Sequence, residues 1–204
     1  MTHDNATATN TSSSRLPTYF ISHGGGPWPW MKKEMGPTYD QLEASLADMP
    51  RQIGRTPSAI LMVSAHWEAA AFTVQGNPKP PMIYDYGGFP AHTYEVHYDS
   101  PGSPELAQRV QSLIAAAGLP AQIDPQRGYD HGMFSPMAAM YPNAEVPVVQ
   151  LSLGRGVDPA EHLYFRPEYI HELRAMEVGQ LTRPERVFAI IAKGDEALDW
   201  HEMS

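Results

Sequence analysis

Ser58-Ala59-Ile60-Leu61-Met62-Val63-Ser64-Ala65-His66-Trp67-Glu68 is the stretch that decides how this chain folds. Residues 58–65 are almost continuously apolar, as a β-strand covered on both faces requires, and the run stops at His66-Trp67-Glu68. Upstream, Thr18 to Ser22 is a shorter apolar run that breaks off at His23-Gly24-Gly25-Gly26-Pro27 and reads as a second buried strand. Between the two, Leu42, Leu46, Met49 and Ile53 recur at spacings of four, three and four residues, the period of a helix over 38–53. Strand, helix, strand in that order predicts a βαβ unit with parallel strands and a right-handed crossover.

The same alternation continues downstream. Ala71 to Gln75 reads as a short strand, and the Tyr/Gly/Pro-rich stretch from Met82 to Pro101 has no regular period. Leu106, Val110, Leu113, Ile114 and Ala117 give an amphipathic helix over 104–117, closed by Gly118. Ala121 to Asp124 and Glu145 to Leu153 are strand candidates. Asp158, Pro159 and Glu161 form a helix-start pattern. A helix over Glu168 to Met176 and a last strand over Val187 to Ala192 follow. The pattern predicts a single α/β domain with a mostly parallel central sheet flanked by helices. Its expected organisation is a disordered leader over 1–16, the main α/β body over 17–163, and a divergent C-terminal segment of the same domain over 164–204. Most of the 20 prolines fall in turn clusters such as Asn77-Pro78-Lys79-Pro80-Pro81, so they mark ordered loops.

At 204 residues, with 42% apolar and 18% charged residues, the chain can bury one substantial core. A formal charge of −9 and the lack of any Lys/Arg run argue against a general nucleic-acid partner and favour a small, uncharged or weakly acidic substrate. The absence of cysteine removes disulfides, thiolate metal sites and thiol nucleophiles together, leaving His, Asp and Glu as metal ligands. Met1 to Leu16 has no apolar centre of the signal-peptide kind, and no run reaches membrane-spanning length. A soluble cytoplasmic protein without a membrane partner is the expectation, with homo-oligomerisation left open.

His23 and His66 fall where two parallel strands are predicted to end, the edge of an α/β sheet at which ligand sites form. Two neutral imidazoles there could hold a divalent ion. Imidazole suits iron, zinc, copper or nickel, and a third ligand with open positions would describe an oxygen-activating ferrous site. The plainer alternative is that each histidine caps a strand end by hydrogen bonding. A third cluster is Tyr129-Asp130-His131-Gly132-Met133-Phe134-Ser135-Pro136, where the glycine would permit an unusual turn that aims His131. Adjacency alone does not establish an Asp130–His131 contact, and a turn with a structural histidine stays open. His92, His97 and His162 read better as solvated or packed side chains. Trp28, Trp30, Tyr84, Tyr86 and Phe89 could line an apolar pocket for a planar ligand or belong to the core. No dinucleotide fingerprint, P-loop or nucleophile elbow is present.

Taken in order, Tyr19-Phe20-Ile21-Ser22-His23-Gly24-Gly25, Val63-Ser64-Ala65-His66-Trp67-Glu68, Ile83-Tyr84-Asp85-Tyr86-Gly87-Gly88-Phe89-Pro90, Asp130-His131-Gly132 with Ser135-Pro136, Pro147 to Leu153, and Pro159-Ala160-Glu161-His162-Leu163 resemble the class III extradiol ring-cleavage dioxygenases. The branch they are most similar to is the 4,5-DOPA extradiol dioxygenase-like group of the protocatechuate 4,5-dioxygenase beta-subunit superfamily. The resemblance implies His23 and His66 as ligands to Fe(II), His131 as a catalytic residue beside the substrate, and a catechol and O2 as reactants. The ring would open beside the two hydroxyls rather than between them. The family also implies a later His-Asn pair and a third metal ligand. Here Val187 to Ala192 is followed by Lys193-Gly194-Asp195-Glu196, and neither His171 nor His201 sits in a matching motif, so those two roles are carried to no residue. Two further readings stand beside this one: a Zn(II)-site hydrolase-like protein, and a degenerate, non-catalytic relative that binds aromatic compounds or another subunit.

Overall fold

The computed structural model describes residues 16–154 and 187–193. The leader up to residue 15, the helices expected from Asp158 and over Glu168 to Met176, and His162, His171 and His201 lie outside the described residues. Within them the strands are β1 (Tyr19–Ser22), β2 (Ala59–Ala69), β3 (Phe72–Gln75), β4 (Ala121–Asp124), β5 (Val148–Gly154) and β6 (Val187–Lys193). The α-helices are α1 (Lys32–Met35), α2 (Asp40–Ile53), α3 (Pro104–Ala116) and α4 (His131–Met140), with 3-10 turns at Trp28–Trp30 and Ala91–Tyr94.

All six strands join one sheet in the order β1-β6-β2-β5-β3-β4. β1, β6, β2 and β5 run parallel to one another, β3 is antiparallel to β5, and β4 is parallel to β3. The expected mostly parallel α/β sheet is therefore present. β1 and β2 point the same way, as predicted, but they are not neighbours, because β6 lies between them.

Alternate residues of the central strands feed two separate cores. Ile60, Met62 and Val148 pack into a cluster with Leu46 and Met49 of α2 and with Met133, Phe134 and Met137 of α4. Val63, Val149 and Leu151 pack instead with Ala107, Val110 and Ile114 of α3. Both faces of the sheet are covered, which is why β2 and β5 read as unbroken apolar runs rather than alternating ones. The helix ends follow local chemistry. Ser103 caps α3 by accepting from Leu106 N, and α2 closes on left-handed Gly54 (φ 74°).

α4 has no sequence signature of its own. Eight of its ten residues, including Gly132, Ser135 and Pro136, are buried, so it carries no polar face to give a helical period. Its start is set by Asp130, whose side chain accepts from Met133 N. Ile60 is fully buried in the larger core. Ile60→Ala is expected to cost about 2–5 kcal/mol, read as a shifted midpoint in urea unfolding.

Candidate metal centre

His23 follows β1 directly, in a loop shaped by two side-chain contacts. Trp28 Nε1 donates to the His23 carbonyl at 2.7 Å, and Tyr39 OH accepts from Gly25 N at 3.0 Å. Gly24 has φ 73°, and a Cβ there would come within 2.6 Å of the Trp28 indole, so the loop can close only around glycine.

His66 is not at the end of its strand. β2 continues to Ala69, but its pairing with β5 breaks between Val63 and Glu68: β2 advances five residues while β5 advances two. This is a β-bulge, a device that re-aims side chains at sites, and it turns the His66 ring toward β1. Ser64 Oγ holds the bulge by accepting from His66 N at 3.2 Å and donating to Asp130 Oδ1 at 2.8 Å. Asp130 is wholly buried, and its other oxygen accepts from Gln150 Nε2 at 2.9 Å and Arg127 Nη2 at 3.0 Å. The Arg127 guanidinium in turn lies 4.5 Å over the Trp67 ring.

The carboxylate partner of His131 is not its neighbour Asp130 but Asp85, 46 residues earlier. Asp85 Oδ1 accepts from His131 N at 2.9 Å and lies 2.8 Å from His131 Nδ1, while its Oδ2 lies 3.3 Å from His66 Nδ1. A backbone bridge brings Asp85 there: Ile83 N donates to Tyr129 O at 2.7 Å and Tyr129 N donates to Pro81 O at 2.8 Å. Asp85 stood inside a motif in the sequence, yet only this bridge reveals its job. Gly132 also differs from expectation. It sits in α4 without a positive φ, and what its hydrogen side chain provides is room. A Cβ there would stand 2.7 Å from His66 Cδ2 and 3.1 Å from Ser64 Oγ.

The three imidazoles thus converge. His23 and His66 Nε2 are 2.9 Å apart, the rings of His66 and His131 are centred 4.1 Å apart, and those of His23 and His131 5.1 Å apart. One nitrogen from each lies within 4.8 Å of the other two, a group that could hold a metal ion. The donor set therefore fits a divalent ion that imidazole binds.

His23 and His131 are buried and His66 is partly exposed. Burial lowers the His66 pKa, with the neighbouring His131 adding to the effect and Asp85 and Asp130 opposing it, so the ring is held neutral as a ligand must be. For Asp85, burial pushes upward, but the hydrogen bonds and charge of His131, with His66 contributing, outweigh it and keep the carboxyl below its usual range. An aromatic wall stands beside the cluster. The Tyr86 ring is 5.6 Å from His131 and 6.3 Å from Phe134, which meets Trp30 edge-on at 5.8 Å.

Residues 17–164 match the family model described as the catalytic LigB subunit of aromatic ring-opening dioxygenase. Among similar proteins are the dioxygenase tasH of Hapsidospora irregularis, 38% identical over 76% of this chain and 49% of its own length, and the 4,5-DOPA dioxygenase extradiol of Beta vulgaris, 41% identical over 71% of this chain and 53% of its own. The Escherichia coli protein of the latter name is 39% identical over 74% and 52%. The crystal structure of an uncharacterised Escherichia coli K12 protein superposes with a TM-score of 0.52 at 26% identity, over 87% of this chain and 59% of that one. The chain spans about half the length of the named relatives it matches. No helix among the described residues is long and apolar enough to cross a membrane.

Two outcomes follow from the site's geometry. Gly132→Ala, which helix propensity alone would stabilise by up to about 1 kcal/mol, is expected to weaken Zn(II) binding roughly tenfold or more by displacing the His66 ring, measured by chelator competition. In the metal-free protein an NMR titration of His66 is expected to show a midpoint below 6.5, the ordinary imidazole value. The folded state then binds fewer protons than the unfolded one between that midpoint and 6.5, so this group's contribution to stability is present above 6.5 and is lost as pH falls through the folded midpoint.

Proposed function

The chain belongs to the family of catalytic LigB subunits of aromatic ring-opening dioxygenases, and from that premise we propose that it opens the ring of a catechol with O2, using a ferrous ion held by His23 and His66 and His131 as its acid–base group. The observation that carries this reading is the convergence of three imidazoles, from three separate stretches of chain, onto one ion-sized space.

A ferrous ion bound there supplies Lewis acidity toward the catechol oxygens and electron flow to O2. The protein's own residues do the rest. His131 donates Nδ1–H to Asp85, which leaves its Nε2 with a lone pair able to take a catechol proton and later return it. Tyr86 does not compete for that role, because burial pushes its phenol pKa well upward and its hydroxyl donates to Thr93 O. It acts as wall, and with Phe134 and Trp30 it offers edges and faces suited to a planar ring. Burial of His23 and His131 limits water at the cluster, which strengthens every polar interaction made there. A zinc hydrolase on the same histidines would need a base beside its bound water, and Asp85 is committed to two imidazoles.

The test uses the full chain, loaded anaerobically with Fe(II) and mixed with L-DOPA in air. Oxygen uptake and a yellow ring-opened product are expected. His23→Ala and His66→Ala should lose bound iron, whereas His131→Asn should keep its iron and lose about 10²–10⁴ in kcat. Stoichiometric iron binding without any oxygen uptake across a panel of catechols would overturn the proposal.

A further inference from the structure

We infer that Asp85 is a positioning residue that sets the tautomers of His66 and His131 together, so that both rings present Nε2 to the site. The inference rests on the reading of His66 as a metal ligand.

An ionised carboxylate only accepts hydrogen bonds. Asp85 Oδ1 is hydrogen-bonded to His131 Nδ1 at 2.8 Å, which therefore carries the hydrogen, and Oδ2 faces His66 Nδ1 at 3.3 Å outside hydrogen-bond geometry, where its negative charge favours an N–H over a lone pair on that nitrogen. A neutral imidazole has one N–H, so both Nε2 atoms are left as lone-pair donors. The 2.9 Å contact between His66 Nε2 and His23 Nε2 is compatible with this, His23 donating to His66 in the metal-free chain a hydrogen that a bound ion would displace. One carboxylate thus biases the proton positions on two rings. Its two oxygens are not equivalent. Oδ1 is anchored by two donors of a single residue, His131 N and Nδ1, while Oδ2 serves His66. Asp85 is also held independently of the histidines. The bridge of Ile83 to Tyr129 fixes the backbone before it, and the flanking Tyr84 and Tyr86 hydroxyls donate to Val96 O and Thr93 O. The carboxylate is therefore in place before any ion arrives, the arrangement by which a carboxylate behind a histidine ligand raises metal affinity.

Asp85→Asn separates the two oxygens chemically. The amide oxygen keeps both His131 donors, and the amide NH2 then faces His66 Nδ1, which must offer a lone pair. His66 is driven to the Nε2–H tautomer and its Nε2 is closed to metal. Imidazole 15N NMR of the metal-free full chain above pH 7.5 reads this directly. In the parent, His66 and His131 should both be Nδ1–H. In Asp85→Asn, His66 should switch to Nε2–H, His131 should not, and Zn(II) affinity by chelator competition should fall about 10–100-fold. An unswitched His66, or affinity within threefold of the parent, overturns the inference. If the variant does not fold, the parent decides: His66 found as Nε2–H overturns it. A chain that shows these tautomers and this affinity loss, yet consumes no O2 with catechols, defeats the ring-opening proposal and still supports the role of Asp85.

Discussion

The arrangement of the site depends on one buried carboxylate. Asp130 has no solvent exposure, and its two oxygens take hydrogen bonds from Ser64 on β2, Gln150 on β5, Arg127 in the preceding loop and Met133 N in the first turn of α4. A buried ionised group with fewer donors would cost several kcal/mol. Here each lone-pair direction is answered, and the answers come from four places in the chain. The constraint works in both directions. The carboxylate is tolerable only because these elements meet, and once it is there they cannot slide past one another without uncovering it. Ser64 passes the restraint on to the His66 backbone, so the same network that fixes the start of α4, and with it His131, also fixes the bulge that aims His66.

Against that fixed frame, the imidazoles are brought together by subtraction as much as by attraction. Gly132 leaves the space that the His66 ring fills, and Gly24 lets the chain turn tightly enough for Trp28 to hold the His23 carbonyl. Neither glycine contributes a side chain of its own. Each marks a place where another group has to come closer than a Cβ would allow. Asp85 then supplies the polar partner for two of the rings from a loop that contributes nothing to the sheet, which is how a functional carboxylate can be placed by a scaffold without being part of it.

Much of this was legible in the residues. The apolar runs of β2 and β5 announced strands buried on both sides, the spacing of Leu42, Leu46, Met49 and Ile53 announced α2, and Val187 to Lys193 appears as the expected last strand. His23, His66 and His131 stood out because each closes or opens a motif of unusual composition, and the structure brings all three to one point. α4 stayed hidden, because a helix buried nearly all round has no polar face to create a period, and Gly132 and Pro136 read locally as turn residues. The bulge stayed hidden too, since Ser64-Ala65-His66-Trp67 has the composition of an ordinary strand end.

What the sequence by itself determined was the inventory: the strands and the two amphipathic helices α2 and α3, which histidines are available, and that imidazole and carboxylate are the ligands on offer in a chain without cysteine. These properties are local, set by side-chain period and chemistry, and so can be worked out along the chain. Only the tertiary structure decided the partnerships. It placed β6 between β1 and β2, gave His131 the distant Asp85 rather than the adjacent Asp130, and made Gly132 the room for a neighbouring ring rather than an unusual turn. Such choices depend on which surfaces meet across tens of residues. Neighbours along the chain carry no record of them, because burial and hydrogen-bond satisfaction are settled in space.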